Sequence, residues 1–478
     1  MLSRRAFLLS AAASSATAAL ARAQTGTGGN TDAGGSPPTV LRIERRGIEV
    51  NGKPASVYGI TQPNGTQGIW TRAGARFRVR VENKIDKPSL IHWHGLTPPW
   101  QQDGVPGISA PPIPPGGSAD YNFPLRFGGT FWMHSHEGLQ EQLLMAAPLI
   151  IADERDRPDQ QEVVVMLTDF SFTPAEEILA NLKKNSDMAA TPHARMDGGK
   201  PAGMSMGAKP DLNDVKYDAF LANDRILSDP EVVKVEPGGR VLLRIINSSA
   251  MSAFHIDLGG LDGELIAADG FEVEPIAGRR FSVAVAQRLD IRLTVRPGAG
   301  AYPVLAMLEG ENKQTGVVLR AGSAAITRIP DTAAVASPAL TLDLEGRLRA
   351  KAPLAPRKAD RRHVLNLTGS MAGYIWSIND VVWTKETPPL PVKLGERVEL
   401  LFVNQTPMPH PMHLHGHEFQ VIAINDQQFS GAVRDTIMVP PGHRVLVAFD
   451  ANNPGHWALH CHLLYHLATG MFTTLLYV

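Results

Sequence analysis

The chain has 478 residues, 43% of them hydrophobic and 19% charged, with a formal net charge of −1. This is an ordinary globular composition, long enough for roughly two to four domains. The near-neutral charge gives no reason to expect nucleic acid or an anionic membrane as a partner, and a single cysteine rules out an internal disulfide framework.

Residues 1–23 read as an export signal rather than as fold. Arg4 and Arg5 open a charged segment, an Ala-rich apolar run reaches Leu20, and Ala21-Arg22-Ala23 offers a small-residue cleavage site. The segment is similar to a twin-arginine signal, which carries folded proteins across the membrane. The apolar run is short for a bilayer span, so a periplasmic protein without a stable membrane anchor is expected. Losing the three arginines of this segment would take the net charge from −1 to −4. Residues 24–37 are rich in Gly, Thr, Ser and Pro and read as a flexible leader.

From Pro38 onward the pattern is of short β-type runs punctuated by Gly and Pro. Residues 76–81, 163–167, 241–246 and 398–403 are examples, and 37 prolines with 44 glycines fit many short strands and turns. An all-β architecture of sandwiches or barrels is expected. Two stretches interrupt it. Residues 174–182 have short helical character, and residues 187–210 form a polar, Gly-rich stretch carrying Met188, Met196, Met204 and Met206.

A long-period repeat organises the chain. Gly74 leads through Asn83 to His92-Trp93-His94-Gly95, and Gly395 leads through Asn404 to His413-Leu414-His415-Gly416, with the same 20-residue spacing from glycine to second histidine. A middle copy runs from Gly238 through Asn247 to His255-Ile256-Asp257. A second unit recurs as Gly129 to His134-Ser135-His136 and as Gly455 to His460-Cys461-His462, and its middle counterpart at residues 300–305 has no histidine. The expected division is into β-domains at 38–155, 160–328 and 360–478, with 329–359 as linker.

The histidines carry the chemistry. Residues i and i+2 of a strand share a face, so His92/His94, His134/His136, His413/His415 and His460/His462 each present two imidazoles together. One such pair is weak evidence, but four in two repeats point to metal. Cys461, the only cysteine, sits between His460 and His462, with His466 five residues on and Met471 ten. Thiolate, imidazole and thioether are the donors of a trigonal copper site with a weak axial Met. Read as a strand, this segment turns Cys461 one way and its flanking histidines the other, so it can serve two metal centres joined by covalent bonds.

At these four motifs the chain resembles the three-domain multicopper oxidases, of the laccase and bacterial copper-efflux-oxidase type. The motifs are His-Trp-His-Gly at 92–95, His-Ser-His at 134–136, His-Pro-Met-His-Leu-His-Gly at 410–416 and His-Cys-His-x3-His-x4-Met at 460–471. The resemblance implies three cupredoxin-like Greek-key domains and four coppers. It implies a type 1 copper on His410, Cys461 and His466 with Met471 axial, and a type 2 copper on His92 and His413. The two type 3 coppers would take His94, His134 and His462, and His136, His415 and His460. One-electron oxidation of substrate at the type 1 site would feed electrons through Cys461, His460 and His462 to O2, which leaves as water. Asp103 resembles the family's acid near the type 2 copper, although Asp103-Gly104 also reads as a plain turn. Leu467 stands where the bacterial pattern commonly has an acid, which shifts the expected proton route to Asp103.

Small phenols and aromatic amines are the expected reductants, with the chain acting as a monomer. Cu(I) oxidation for copper tolerance is the alternative, because thioethers favour Cu(I) and Met408 adjoins His410. Thr406, standing where the copper-efflux type often has an acid, counts against it. Copper sequestration by the Met stretch is a further alternative.

Overall fold

Each repeat folds into a pair of sheets in which two parallel pairings mix with antiparallel ones. A computed structural model describes residues 37–154, 156–189 and 212–478. The export signal, almost all of the leader and residues 190–210 of the Met stretch lie outside the described residues. Strand Arg76–Asn83 shows why these runs become strands: Phe77, Val79 and Val81 are buried on one face while Arg76 and Arg80 face solvent. Each buried side chain of that kind is worth about 1.5–3 kcal/mol.

Residues 39–152 supply two four-stranded sheets, residues 160–321 a six- and a five-stranded sheet, and residues 361–477 a seven- and a five-stranded sheet. Thr39–Val50 pairs in parallel with Arg76–Asn83, Gln160–Phe170 with Arg240–Asn247, and Arg361–Ser370 with Arg397–Asn404. The same connection thus recurs three times. The third hydrophobic core runs on into Trp132, Ile150, Ile246 and Met251, which seals the last pair of sheets against the other two.

The helix expected over 174–182 is longer, Ala175–Ala189. Pro174 precedes its first turn, where a missing N–H costs nothing. Residues 329–359 are more than a spacer. Leu340, Leu342 and Leu348 are buried, and a short helix, Asp343–Arg347, buries Glu345. Three spaced leucines in an Ala- and Pro-rich stretch carry that docking, and composition hides them. Among the described residues no helix is long and apolar enough to cross a membrane.

Two antiparallel strand pairs aim the histidines. Ile91–His94 pairs with Gly129–Ser135, putting His92 opposite His134. His410–Leu414 pairs with His456–Cys461, putting His413 opposite His460. Directly opposed residues point to the same face, so each pairing gathers imidazoles from two motifs. The corresponding middle pairing, Phe254–Asp257 with Gly300–Leu308, puts His255 opposite Met307 and gathers none.

Candidate metal centre

Cys461 ends its strand with Sγ 3.6 Å from His410 Nδ1 and 3.9 Å from His466 Nδ1. The two imidazole nitrogens are 3.2 Å apart. Met471 is fully buried, and its backbone bonds both neighbours: its carbonyl accepts from Cys461 N–H and its N–H donates to the His466 carbonyl. Burial pushes the Cys461 thiol well above its ordinary range and holds His410 well below its own, with His466 adding to the effect. The far side of each ring is fixed. Thr406 Oγ1 lies 2.6 Å from His410 Nε2, and Asp214 Oδ2 lies 3.1 Å from His466 Nε2 while also accepting from Tyr374 Oη at 2.5 Å. Trp376 stacks on His466 at 4.1 Å.

The eight paired histidines form a second cluster. Seven are buried and His136 is partly exposed. His415 Nε2 is 2.9 Å and His136 Nε2 3.3 Å from His460 Nε2, and His413 Nε2 is 3.4 Å from His92 Nε2. Nδ1 of His415 donates to Asp103 Oδ2 at 2.8 Å, and Nδ1 of His460 to the Cys461 carbonyl at 2.9 Å. Nδ1 of His92 donates to the Asp103 carbonyl at 2.9 Å, and Nδ1 of His413 to the Asp435 carbonyl at 2.9 Å. Burial, with neighbouring histidines adding to it, holds His94, His136, His415, His460 and His462 well below the ordinary imidazole value.

These facts test whether the donors fit a metal. A neutral imidazole that donates through one nitrogen has only a lone pair on the other. His415 and His460 therefore face each other with two lone pairs, as do His92 and His413. Such pairs repel unless a cation lies among them. His94 Nδ1, His134 Nε2 and His462 Nε2 are likewise buried with no hydrogen-bond partner among the described residues, and leaving such groups unmade is costly. The other nitrogen of His94 faces Asp435, and that of His134 faces Glu141. Imidazoles in one cluster, with a cysteine sulfur beside two imidazoles in the other, suit copper.

The structure brings together all eight histidines of one predicted group and the Cys461, His410 and His466 of the other. Asp103 combines a turn with a carboxylate beside the histidines. It closes the turn before Gly104, whose added Cβ would strike the Ile91 carbonyl, and its carboxylate reaches His92 and His415. Sequence reasoning missed Glu141, Asp214, Asp435 and the hydroxyl role of Thr406. No spacing rule links such residues to the motifs; only Thr406, four residues before His410, lay within view.

Three family models, each described as multicopper oxidase, match residues 43–156, 161–325 and 356–478. The chain is 31% identical over 467 residues to the multicopper oxidase MmcO of Mycobacterium tuberculosis, covering 92% of this chain and 86% of that protein. It is 29% identical to a copper resistance protein A homolog of Pseudomonas syringae pv. tomato, over 84% of this chain and 85% of the other. Among solved structures, the L499M mutant of the Botrytis aclada laccase matches with a TM-score of 0.76 at 21% identity, over 92% of this chain and 88% of that one.

Proposed function

The chain belongs to the multicopper oxidase family, copper-dependent oxidoreductases that use O2, and from that membership we propose that it oxidises phenols and aromatic amines, as laccases do. In this reading His410, Cys461 and His466, together with Met471, would hold the type 1 copper. His92 and His413 hold the type 2 copper. One type 3 copper lies on His94, His134 and His462, and the other on His136, His415 and His460. The facing lone pairs and orphaned nitrogens support these assignments. Copper held by these residues would supply one-electron oxidation of the reductant coupled to four-electron reduction of O2 to two waters. The domains run over 38–155, 160–328 and 360–478, a division supported by three pairs of sheets and three family matches. Residues 1–23 direct export to the periplasm.

The observation that carries the phenol reading is Asp214. Its Oδ2 holds His466 Nε2 and the Tyr374 hydroxyl, while Oδ1 is buried with no partner among the described residues. A phenol losing an electron must also lose a proton, and Oδ1 is a base beside the imidazole through which the electron leaves. Asp103, tied to His92 and His415, is the carboxyl placed to pass on the protons that O2 reduction consumes. Cu(I) is the second reading. It is favoured by the copper-resistance name of a similar protein and by the Met stretch that leads into Asp214.

O2 uptake by the copper-loaded protein tests both. Asp214→Asn should lower phenol kcat/KM by ~10²-fold or more, the range of a lost general base, and spare ferrocyanide, which releases no proton. Equal losses with both donors would defeat the proton-acceptor role. If deleting residues 187–210 lowers Cu(I) oxidation and spares phenol, cuprous oxidase is the better description. A four-copper protein that consumes no O2 with any donor would defeat the enzyme reading.

A further inference from the structure

Among the described residues the middle pair of sheets contributes no donor to the clusters, yet it sends the side chain of Arg288 toward the histidines. Arg288 opens the strand Arg288–Thr294 and is fully buried. Its guanidinium grips Asp435 with both forks, Nη1 to Oδ1 at 2.8 Å and Nη2 to Oδ2. The remaining N–H groups go to the backbone carbonyls of Thr130, Ala286 and Asp269. Asp435 is thereby set against two histidines of different motifs. Its Oδ1 is 3.0 Å from His94 Nε2 and 3.5 Å from His413 Nδ1. Burial works against the Asp435 charge, but Arg288, then His94, holds the carboxyl well below the usual range.

The consequence for the two rings is opposite. His94 has its Nε2 occupied, leaving Nδ1 for a ligand. His413 has its Nδ1 occupied, leaving Nε2. The rings stack at 3.8 Å and 14°, so one residue, through its carboxylate at His94 and its backbone carbonyl at His413, presents two different ring nitrogens from adjacent imidazoles. A second observation shows that the sequence makes room for this pair. A Cβ added at Gly95 would lie 2.6 Å from Arg288 Nη2 and 2.7 Å from Asp435 Oδ2. The glycine of His-Trp-His-Gly is therefore where the ion pair meets the first motif.

The pair ends a buried chain of alternating sign. Asp269 accepts from the Arg288 backbone N–H and from Arg434, and Arg434 in turn grips Glu345 in the helix of residues 329–359. Planar, bidentate pairs of this kind fix geometry as well as charge. We infer that Arg288 is a positioning residue of the trinuclear cluster: acting through Asp435, it selects Nδ1 of His94 and Nε2 of His413 as donors, and this is how the donor-free middle repeat serves the site. The inference rests on the copper assignments proposed above.

Arg288→Met and Arg288→Lys, made in the full chain and loaded with copper, test it. The internal control is the blue band of the Cys461 site, whose donors Cys461, His410 and His466 share no hydrogen bond with Arg288, Asp435, Asp269, Arg434 or Glu345 among the described residues. Arg434→Met is the second control, because it breaks the same buried chain at Asp269 and Glu345 without removing a hydrogen bond of the Asp435 carboxylate. Both Arg288 variants should keep the blue band, change the EPR hyperfine pattern of the type 2 copper and lose ~10- to 100-fold in cluster copper affinity, the usual cost of removing a ligand's outer partner. Lys should lose less than Met, and Arg434→Met should leave the EPR pattern as in the wild type. Unchanged EPR and affinity in both Arg288 variants would overturn the inference. So would the same change in Arg434→Met, or loss of the blue band in step with the cluster in both Arg288 variants, since each would mark general loosening. A wild type with no type 2 EPR signal after loading would instead defeat the copper assignments themselves.

Discussion

Glu141 lies 2.9 Å from Nδ1 of His134, and its second oxygen is 3.9 Å from Nδ1 of His462, so one buried carboxylate spans two donors from distant parts of the chain. Holding Nδ1 of His134 turns its Nε2 inward, and Nε2 of both His134 and His462 lacks a partner among the described residues. Glu141→Ala should therefore weaken copper at this position by ~10- to 100-fold, while Glu141→Gln, which still offers an acceptor oxygen, should lose less. Copper per chain after dialysis against graded chelator reads the effect, with the blue band as an internal reference. An alanine variant that holds its copper as tightly as the wild type would show that Glu141 does not orient these rings.

Thr406 makes the corresponding contact at the Cys461 site. Its hydroxyl is 2.6 Å from His410 Nε2 and 2.9 Å from Asn404 Oδ1, all of it buried. Thr406→Val preserves the shape and removes the partner. Leaving a buried ring nitrogen unpaired should cost about 1–3 kcal/mol, and the freed ring should shift the blue band while the EPR signal of the type 2 copper stays as it was. Absorption, EPR and thermal unfolding of the two proteins check this. Identical blue spectra would show that the hydroxyl is idle.

Copper loading should release protons in a countable way. Burial raises the Cys461 thiol, so without metal it stays protonated through neutral pH. The same burial lowers His410 and five of the paired histidines, so those rings are neutral before copper arrives. Ligation needs a thiolate and neutral imidazoles. Filling the Cys461 site near pH 7 should therefore release about one proton, and Cys461→Ser should lose both that proton and the blue colour while keeping cluster copper. Calorimetry in buffers of different ionisation enthalpy gives the count. A wild type that releases none would contradict the buried, protonated thiol.

The all-β fold and the metal donors were legible for one physical reason. A strand repeats its face every two residues, so His92/His94 or His460/His462 declares a shared direction within three letters of sequence. The Cys461 segment likewise declares two directions at once. The partners behind the donors carry no such period. Asp435 lies 341 positions from His94, and Asp214 lies 252 from His466. Each is an ordinary carboxylate until folding brings it to a ring nitrogen. Asp103 was visible only because the resemblance pointed to it, and it sits in a turn while its carboxylate reaches His92 and His415. Residues 329–359 misled in the opposite sense, because an Ala- and Pro-rich composition conceals the leucines and Glu345 that dock it.

That docking stretch gives a pH prediction. Glu309 is 3% exposed, accepts a 2.6 Å hydrogen bond from the Leu340 backbone N–H, and is pushed by burial up to about 7. A carboxyl whose folded value exceeds its unfolded one near 4.3 binds more protons when folded. Its contribution is fully present below that unfolded value and is lost as pH rises through about 7. The difference amounts to about 3 kcal/mol at alkaline pH. Glu309→Gln keeps an acceptor for Leu340 and removes the charge. The variant should match the wild type near pH 4 and exceed its stability by about 2–3 kcal/mol near pH 8. Urea unfolding of both proteins across that range measures the gap. A gap that does not widen with pH would mean that the Glu309 carboxylate is solvated when charged, and that Leu340 is anchored without a buried neutral acid.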